Sequence, residues 1–172
     1  LEQVRVEEGL HRIDDYAYIP EQNIGHAMTS VMAQNRGAGE IKRVKEAFRI
    51  GMYVELAYGA ATGILLLFLA NPIMRLFTHD EATIFLGEQY LHLIAFMYIV
   101  PAVTNGVQGY FRGMGDLTIT LWSSLINMGV RVVVCFLLVF GGKMGIIALP
   151  WAYLAGWIAM MLYELPFLLR RF

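Results

Sequence analysis

The sequence predicts an all-α protein, a polytopic bundle of transmembrane helices. Hydrophobic residues make up 58% of its 172 residues and charged residues only 16%, against about 45–50% and about 25% in ordinary soluble domains. A soluble domain of this length exposes much of its surface, so its core could not hide such an apolar surplus. An exterior that faces lipid removes the difficulty, and long apolar runs supply that exterior. The lipid bilayer is therefore the first predicted partner.

Five apolar segments predict five membrane-crossing helices. About 20 apolar residues are enough for an α-helix to cross a hydrocarbon core. The first segment contains Asp14, Asp15, Glu21 and His26 and is the weakest candidate, whereas the other four carry few charged or histidine residues. The predicted spans follow a polar N-terminal stretch at 1–12 and cover residues 13–35, 46–74, 82–111, 117–140 and 144–169.

Short polar turns separate these segments and predict that neighbouring helices are antiparallel. Glycines at 37 and 39 suit a helix C-terminus, and Thr78 or Asp80 offers an N-cap for the helix that follows. Residues 112–116 and 141–143 form similar turns further along. None of these turns is long enough to hold a soluble domain between two spans.

The distribution of lysine and arginine predicts the orientation in the membrane. Cytoplasmic loops of membrane proteins carry an excess of these residues. With the 35–49 turn in the cytoplasm, four such residues lie outside: Arg5, Arg12, Arg75 and Lys143. The larger set lies inside and consists of Arg36, Lys42, Arg43, Lys45, Arg49, Arg112, Arg170 and Arg171. We therefore expect a multi-pass protein of the plasma membrane with a cytoplasmic C-terminus.

Acidic residues in the first span are candidates for an ion or substrate site. A charged group at the centre of a span costs about 2.5–3.5 kcal/mol on insertion scales, so each one needs a reason. Asp14, Tyr18, Glu21 and Gly25 share one face of a helix. Pro20 frees backbone groups beside them and can open a local cavity. Such a stripe would bind a cation or exchange a proton, or Asp14 would simply cap the helix at the outer surface.

Three further ionisable residues are candidates for the same function. Glu55 in the second span is either an ion ligand or a snorkelling or paired side chain near the cytoplasmic interface, not far from Arg49. Glu88 and His92 share a helix face four residues apart. A carboxylate beside an imidazole can relay protons. Ordinary pairing between helical neighbours near the outer interface is the favoured interpretation of these two.

Polar and proline residues in the third and fourth spans predict structural or gating functions. Pro101 would kink its helix and would either serve as a gate hinge or shape packing, and Asn105 and Gln108 follow it. Asn127 and Arg131 lie four residues apart on the fourth span. Arg131 needs a partner on another helix or outside this chain. We expect it to hold helices together, because a fixed positive charge repels cationic cargo.

Other chemistry finds little support in the sequence. The single cysteine, Cys135, excludes a disulfide framework. The four histidines lack metal-ligand spacing, and neither a P-loop nor a catalytic triad is recognisable. We therefore expect no enzyme activity, no cofactor and no metal. The net charge of −1 and the lack of a basic face give no reason to expect a nucleic-acid partner.

Several short strings in a fixed order carry a resemblance to a known family. They are Arg12-Ile13-Asp14, Pro20, Gln34-Asn35-Arg36-Gly37-Ala38-Gly39, Arg43-Val44-Lys45, Pro72-Ile73-Met74-Arg75-Leu76-Phe77, Gly87-Glu88-Gln89-Tyr90-Leu91, Phe111-Arg112-Gly113-Met114-Gly115-Asp116, and Arg131 with the apolar run 132–138. Each string alone is a common pattern. Their order and spacing over most of the chain resemble the second half of a transporter of the multidrug and toxic compound extrusion (MATE) family.

The resemblance implies a function as well as a fold. MATE proteins are twelve-helix secondary transporters with two six-helix lobes, which exchange Na⁺ or H⁺ for amphipathic or cationic compounds by alternating access. Residues 13–172 resemble helices 8–12, a partial C-terminal lobe. The implied partners are a small amphipathic drug or toxin, the N-terminal lobe and the first helix of this lobe. A flippase for lipid or polysaccharide cargo and a truncated, non-transporting membrane protein remain alternatives.

Overall fold

The described residues, 2–171, fold into six α-helices joined by short connections. A computed structural model describes residues 2–171, with the side chains of residues 2–15 and 146 excepted. A π-helical segment, Leu137–Gly141, continues the fifth helix, and a single 3-10 turn, Gly145–Ile147, precedes the sixth. The helices are α1 (Glu2–Gly37), α2 (Ile41–Phe77), α3 (Glu81–Met97), α4 (Ile99–Gly113), α5 (Leu117–Phe136) and α6 (Ala148–Leu169).

The predicted fold class is confirmed, since every regular element in the described part of the chain is helical. Three stretches are long and apolar enough to cross a membrane: Ile41–Phe77, Leu117–Gly141 and Ala148–Leu169. Helices α3 and α4 together make a fourth such span if the bent pair is taken as one. Helix α1 is not among them, so the first predicted span stays a prediction. Large apolar side chains such as Phe68 and Phe136 cover the outside.

The third predicted span is broken into α3 and α4, which meet at an angle of 44°. Pro101 explains where the break lies. A proline lacks the N–H that would bond the carbonyl four residues earlier, and its ring clashes with that carbonyl. The residue four positions before Pro101 is Met97, where α3 ends. The predicted kink is confirmed, whereas its use as a gate hinge stays a prediction.

The turns behave largely as the sequence indicates. Asp80 is the N-cap of α3, and its carboxylate accepts a hydrogen bond of 3.0 Å from the backbone N–H of Thr83. At the opposite end of the bundle, the Arg36 guanidinium donates to the carbonyl of Met114. Arg171 pairs there with Asp116, with 2.9 Å between Nη1 and Oδ2. These contacts place the start of the 35–49 turn, the 112–116 turn and the C-terminal Arg171 at one end of the bundle.

Close backbone contacts hold α1 and α2 against the bent pair. A Cβ on Gly109 of α4 would lie 2.7 Å from the carbonyl oxygen of Gly25 in α1, and one on Gly63 of α2 would lie 2.6 Å from that of Ala95 in α3. Helix α5 packs chiefly against α6, and its only buried described residues are Thr120 and Ser123. The bundle thus has a tightly packed half, α1 to α4, and an outer pair, α5 and α6.

Candidate functional site

Two glutamates face each other in the tightly packed half of the bundle. Glu21 of α1 and Glu55 of α2 both have zero solvent exposure. Glu55 Oε1 lies 3.4 Å from where a Cβ on Gly25 would stand, one helical turn after Glu21. The charge on Glu55 acts directly on Glu21. None of the four carboxylate oxygens has a hydrogen-bond partner among the described residues.

This pair has an energetic consequence for any chemistry at the site. A buried carboxylate without donors is very unfavourable as an anion, and two adjacent ones repel each other when both are ionised. The pair therefore needs one or two protons, or a bound cation such as Na⁺, to compensate its charge. The backbone carbonyl of Asn105 approaches the same place, 3.0 Å from the Gly25 Cβ position. Carboxylate and carbonyl oxygens are suitable ligands for a hard cation.

The structure corrects one of the two interpretations offered for Glu55. A glutamate that snorkels to the cytoplasmic interface would keep its carboxylate in water, whereas Glu55 is fully buried. The snorkelling interpretation is therefore wrong, because Glu55 points at Gly25 of α1 instead of along its own helix. The sequence analysis did not predict that Glu55 lies beside Glu21, since it grouped Glu21 only with residues of the same helix. The side chain of Asp14 lies outside the described residues.

A polar cavity of about 250 Å³ lies between α1, α4, α5 and α6. It brings together five residues that the sequence singled out on three different spans. Tyr18 lines it from the α1 stripe and interacts with Gln22 and Asn105. The full lining consists of Tyr18, Gln22, Asn105, Gln108, Arg112, Ser124, Asn127, Met128, Arg131, Trp157 and Met160.

Arg131 and Asn127 contact α6 across this cavity. The Arg131 guanidinium lies 4.0 Å from the centre of the Tyr153 ring, a distance at which a cation–π interaction is favourable. Asn127 Nδ2 donates to Met160 Sδ over 3.5 Å. A Cβ on Gly156 would stand 2.5 Å from Arg131 Cγ, so the two helices are in close contact. Arg131 thus has a partner on another helix, and its predicted function of holding helices together stays a prediction.

A third fully buried carboxylate, Glu164 of α6, was missed by the sequence reasoning. Its Oε1 accepts a hydrogen bond from Gln108 Nε2, which also donates to Ser123 Oγ over 2.6 Å. The positive charge of Arg112 acts on it as well. A signal was present, because Glu164 is the only charged residue between 144 and 169. The rule that every charge within a span needs a reason would have identified it.

Glu88 and His92 lie at a different interface and have separate partners on α2. Glu88 Oε2 accepts a 3.0 Å hydrogen bond from Asn71 Nδ2, and His92 Nε2 lies 3.2 Å from the carbonyl oxygen of Leu67. Asn71 also accepts from Arg75 Nε at 2.9 Å. These contacts join α3 to α2, and a proton relay through Glu88 and His92 stays a prediction. Pro20 lies on the exposed side of α1, and the helix continues through it.

Comparison with known proteins gives a consistent result. The sequence model of the MatE family matches residues 10–137. The chain is 24% identical over 157 residues to the probable multidrug resistance protein YoeA of Bacillus subtilis, covering 89% of this chain and 33% of that protein. It is 29% identical over 121 residues to the probable multidrug resistance protein YpnP of the same organism, covering 70% of this chain and 27% of that protein.

Solved structures share the fold. An inward-facing multidrug resistance MATE family transporter of the MOP superfamily superposes with a TM-score of 0.88 at 17% identity, covering 97% of this chain and 38% of that one. A MOP superfamily transporter from Pyrococcus furiosus gives a TM-score of 0.90 at 16% identity, covering 99% and 38%. At such identities the likeness shows the fold alone. The chain spans about a third of the length of the curated relatives, 33% for the Bacillus subtilis protein YoeA.

Proposed function

The chain belongs to the MatE family, and on that premise we propose that it forms part of a secondary active multidrug exporter. The exporter exchanges Na⁺ or H⁺ for amphipathic compounds across the plasma membrane. The five predicted spans correspond to helices 8–12 of a twelve-helix transporter, and the C-terminus with its arginines faces the cytoplasm. Transport proceeds by alternating access, in which one lobe rocks against the other around a central site.

The Glu21–Glu55 pair is the observation that supports ion coupling. Ionisable residues within membrane-spanning helices are rare and mark ion and proton pathways by default. These two lack protein donors within the described residues, and a proton or a cation that binds and leaves would compensate their charge. A group that must take up a proton or a cation before it can be enclosed has the property that an ion-coupled antiporter requires.

The position of the pair links ion binding to cargo. Tyr18 lies three residues before Glu21 on α1 and lines the polar cavity, whereas Glu21 contacts the interface with α2. Tyr18 and Glu21 lie one turn apart on the same face of α1, so the ion site adjoins the cavity, with Asn105 of α4 close to both. An ion that draws the two carboxylates together shifts α1 relative to α4, and the shape of the cavity changes with it. Ion release then restores the other state.

Dye accumulation in cells tests this proposal. Cells that carry the intact protein should accumulate less of an amphipathic dye, either ethidium or a xanthene dye with a free carboxylate, than cells without it, and an ionophore that dissipates the coupling gradient should abolish the difference. Ionophores specific for H⁺ or for Na⁺ identify the coupling ion. Glu21→Gln and Glu55→Gln should each remove gradient-dependent export while the protein stays at normal abundance in the membrane.

Glu81→Gln is the matched control, because Glu81 is 73% exposed at the start of α3 and pairs only with Arg75 there. It should export dye as well as the unmodified protein does. Normal gradient-dependent export by both Glu21→Gln and Glu55→Gln would remove the pair from the ion pathway. Unchanged dye accumulation with the unmodified protein present in the membrane would contradict export itself.

A further inference from the structure

We propose that the polar cavity between α1, α4, α5 and α6 binds a carboxylate group of the cargo, so that the favoured cargo is an anionic or zwitterionic amphiphile. The inference rests on the proposed export function and names the substrate class for it. Helices α1 and α4 of the tightly packed half and helices α5 and α6 of the outer pair all contribute to the lining of the cavity.

The charge of the cavity lining is the first argument. Two arginines, Arg112 and Arg131, contribute to the lining, together with amide, hydroxyl and phenol groups. No carboxylate belongs to the lining within the part of the chain that the structure describes. A cavity with two guanidinium groups and low-dielectric walls attracts anions and repels cations. This field is the opposite of what a purely cationic drug would need.

A buried donor on α4 lacks an acceptor. Asn105, Gln108 and Arg112 lie at i, i+3 and i+7 and share one face of α4, towards the cavity. Arg112 Nε is buried and has no hydrogen-bond partner among the described residues. A buried donor without an acceptor is costly, so this face of α4 is suited to receive a group that only accepts. A guanidinium and a carboxylate form such a match through paired, charge-assisted hydrogen bonds.

Glu164 does not satisfy this donor, although it lies close to it. Its Oε1 is bonded to Gln108, and it is fully buried outside the cavity lining. Arg131 is in contact with the Tyr153 ring, which leaves its charge in place because a cation–π contact does not neutralise it. The two guanidinium groups therefore give the lining itself a positive charge, whereas Glu164 and the Glu21–Glu55 pair lie outside that lining.

The size and apolar lining of the cavity fit one end of a larger molecule. Its volume of about 250 Å³ is slightly below the roughly 300–1,000 Å³ of pockets that enclose a whole drug-sized ligand. Trp157 and Met160 line the same space and offer an aromatic face and a soft thioether to an adjoining ring. The cavity thus suits an acid group attached to an aromatic or aliphatic body, with the body extending beyond it.

A pair of dyes with one ring system provides the probe. One is a xanthene dye with a free carboxylate, and the other is its methyl ester, which removes only the negative charge. The intact protein is reconstituted in phosphatidylcholine vesicles, and dye binding is followed by fluorescence anisotropy. The free acid should bind about ten-fold more tightly than the ester, the difference expected of one charge-assisted contact. Equal affinities would overturn the proposal.

Variants separate a ligand contact from a structural function. Arg112→Gln should weaken binding of the acid about ten-fold and leave the ester unchanged, and Arg112→Lys should restore part of the loss. Asn105→Asp keeps the shape of the side chain and adds a negative charge, so it should weaken the acid and strengthen the ester. Arg75→Gln is the control, since Arg75 lies at the far end of α2 and pairs with Glu81. Equal weakening of both dyes by Arg112→Gln and Asn105→Asp would overturn the proposal.

The outcomes also distinguish this inference from the exporter proposal. Selective binding of the acid without gradient-dependent transport of either dye would support the cavity assignment and contradict export. Gradient-dependent export of both dyes with no preference for the acid would support export and overturn the cavity assignment. Displacement of the acid by phosphatidylglycerol added to the vesicles would assign the cavity to a lipid phosphate and overturn a carboxylate cargo.

Discussion

Glu164 and the Glu21–Glu55 pair share one residue type and the same complete burial, yet the protein surrounds them differently. Glu164 accepts a hydrogen bond from Gln108 and lies within the field of Arg112. The oxygens of Glu21 and Glu55 have no donors among the described residues. The negative charge of Glu164 is thus compensated by neighbouring side chains of the fold. The charges of Glu21 and Glu55 have no such neighbours among the described residues.

The difference shows how a membrane protein divides structure from coupling. A buried charge with fixed donors is stable in one state and joins the elements that supply them, here α4, α5 and α6. A buried charge without fixed donors is stable only while a proton or a cation is bound. The second arrangement makes folding and transport depend on the ion, which is useful only in a part of the molecule that changes state. The predictions below test this division.

The largest expected effect comes from giving the uncompensated pair a permanent cation. Glu55→Lys places an ammonium group beside Glu21, so the site no longer needs an external ion, and gradient-dependent export should fall at least about ten-fold. The protein should still insert, because an internal ion pair replaces two unpaired acids. Dye efflux from cells under an imposed ion gradient measures the loss.

Glu46→Lys is the control for this charge reversal, since Glu46 lies on the same helix and is exposed. It should leave efflux near that of the unmodified protein. Gradient-dependent export by Glu55→Lys at the normal rate would show that the pair is not the coupling site and that the two buried regions do not differ in function.

The next effect concerns stability at the compensated carboxylate. Glu164→Leu removes the acceptor of Gln108, leaves an amide donor of Gln108 buried without that partner and removes the negative charge beside Arg112, which should cost about 2–3 kcal/mol in the free energy of unfolding. Glu164→Gln keeps an acceptor oxygen and should cost less than about 1 kcal/mol. Thermal unfolding in detergent measures both. An equal loss in the two variants would mean that packing, rather than hydrogen bonding, holds Glu164.

A smaller effect is expected from the packing that encloses the pair. Gly109→Ala puts a methyl group 2.7 Å from the carbonyl oxygen of Gly25, so α1 and α4 must separate, at about 1–2 kcal/mol. The control is Gly129→Ala in α5, where nothing lies within 4 Å of the new Cβ. That change should be neutral or stabilise by up to about 1 kcal/mol, because alanine is the better helix former. Chemical denaturation compares the two, and equal effects would contradict the tight contact.

Features that depend on one helix and its ends could be predicted from the sequence. The apolar surplus predicts a helical bundle in lipid, Pro101 predicts the kink, and Asp80 predicts the N-cap, because each of these effects acts within a few residues along the chain. The observed break at Met97 and the hydrogen bond to Asp80 agree with them. The same local reasoning marked Glu21 and Glu55 as charges that need a reason.

Features that depend on how helices rotate against each other could not be predicted. The meeting of Glu21 with Glu55 requires that α1 and α2 turn these faces together, so that the Glu55 side chain reaches Gly25 of α1. Glu164 lies near the basic C-terminal end, where an acid is ordinarily solvated, and its burial comes from contacts with Gln108 and Ser123 on two other helices. The polar cavity likewise brings together residues of separate helices, among them Arg112 and Arg131.

The smallest expected effect concerns an exposed carboxylate with fixed donors, Asp80. The hydrogen bond from the Thr83 hydroxyl, followed by that from the Thr83 amide, holds the pKa of Asp80 below its usual range. A carboxyl whose pKa is lower in the folded state stabilises the fold above its unfolded pKa of about 3.9, and this contribution is lost as the pH falls through the folded value. The protection factors of the amides in the first turn of α3, which compare observed with intrinsic exchange, should therefore fall below about pH 4. In Asp80→Ala these protection factors should be low at every pH. In Thr83→Val their fall should begin at a higher pH. An unchanged profile in Asp80→Ala would show that even fixed donors contribute nothing where water competes, which would confine the contrast between the two kinds of carboxylate to the buried interfaces.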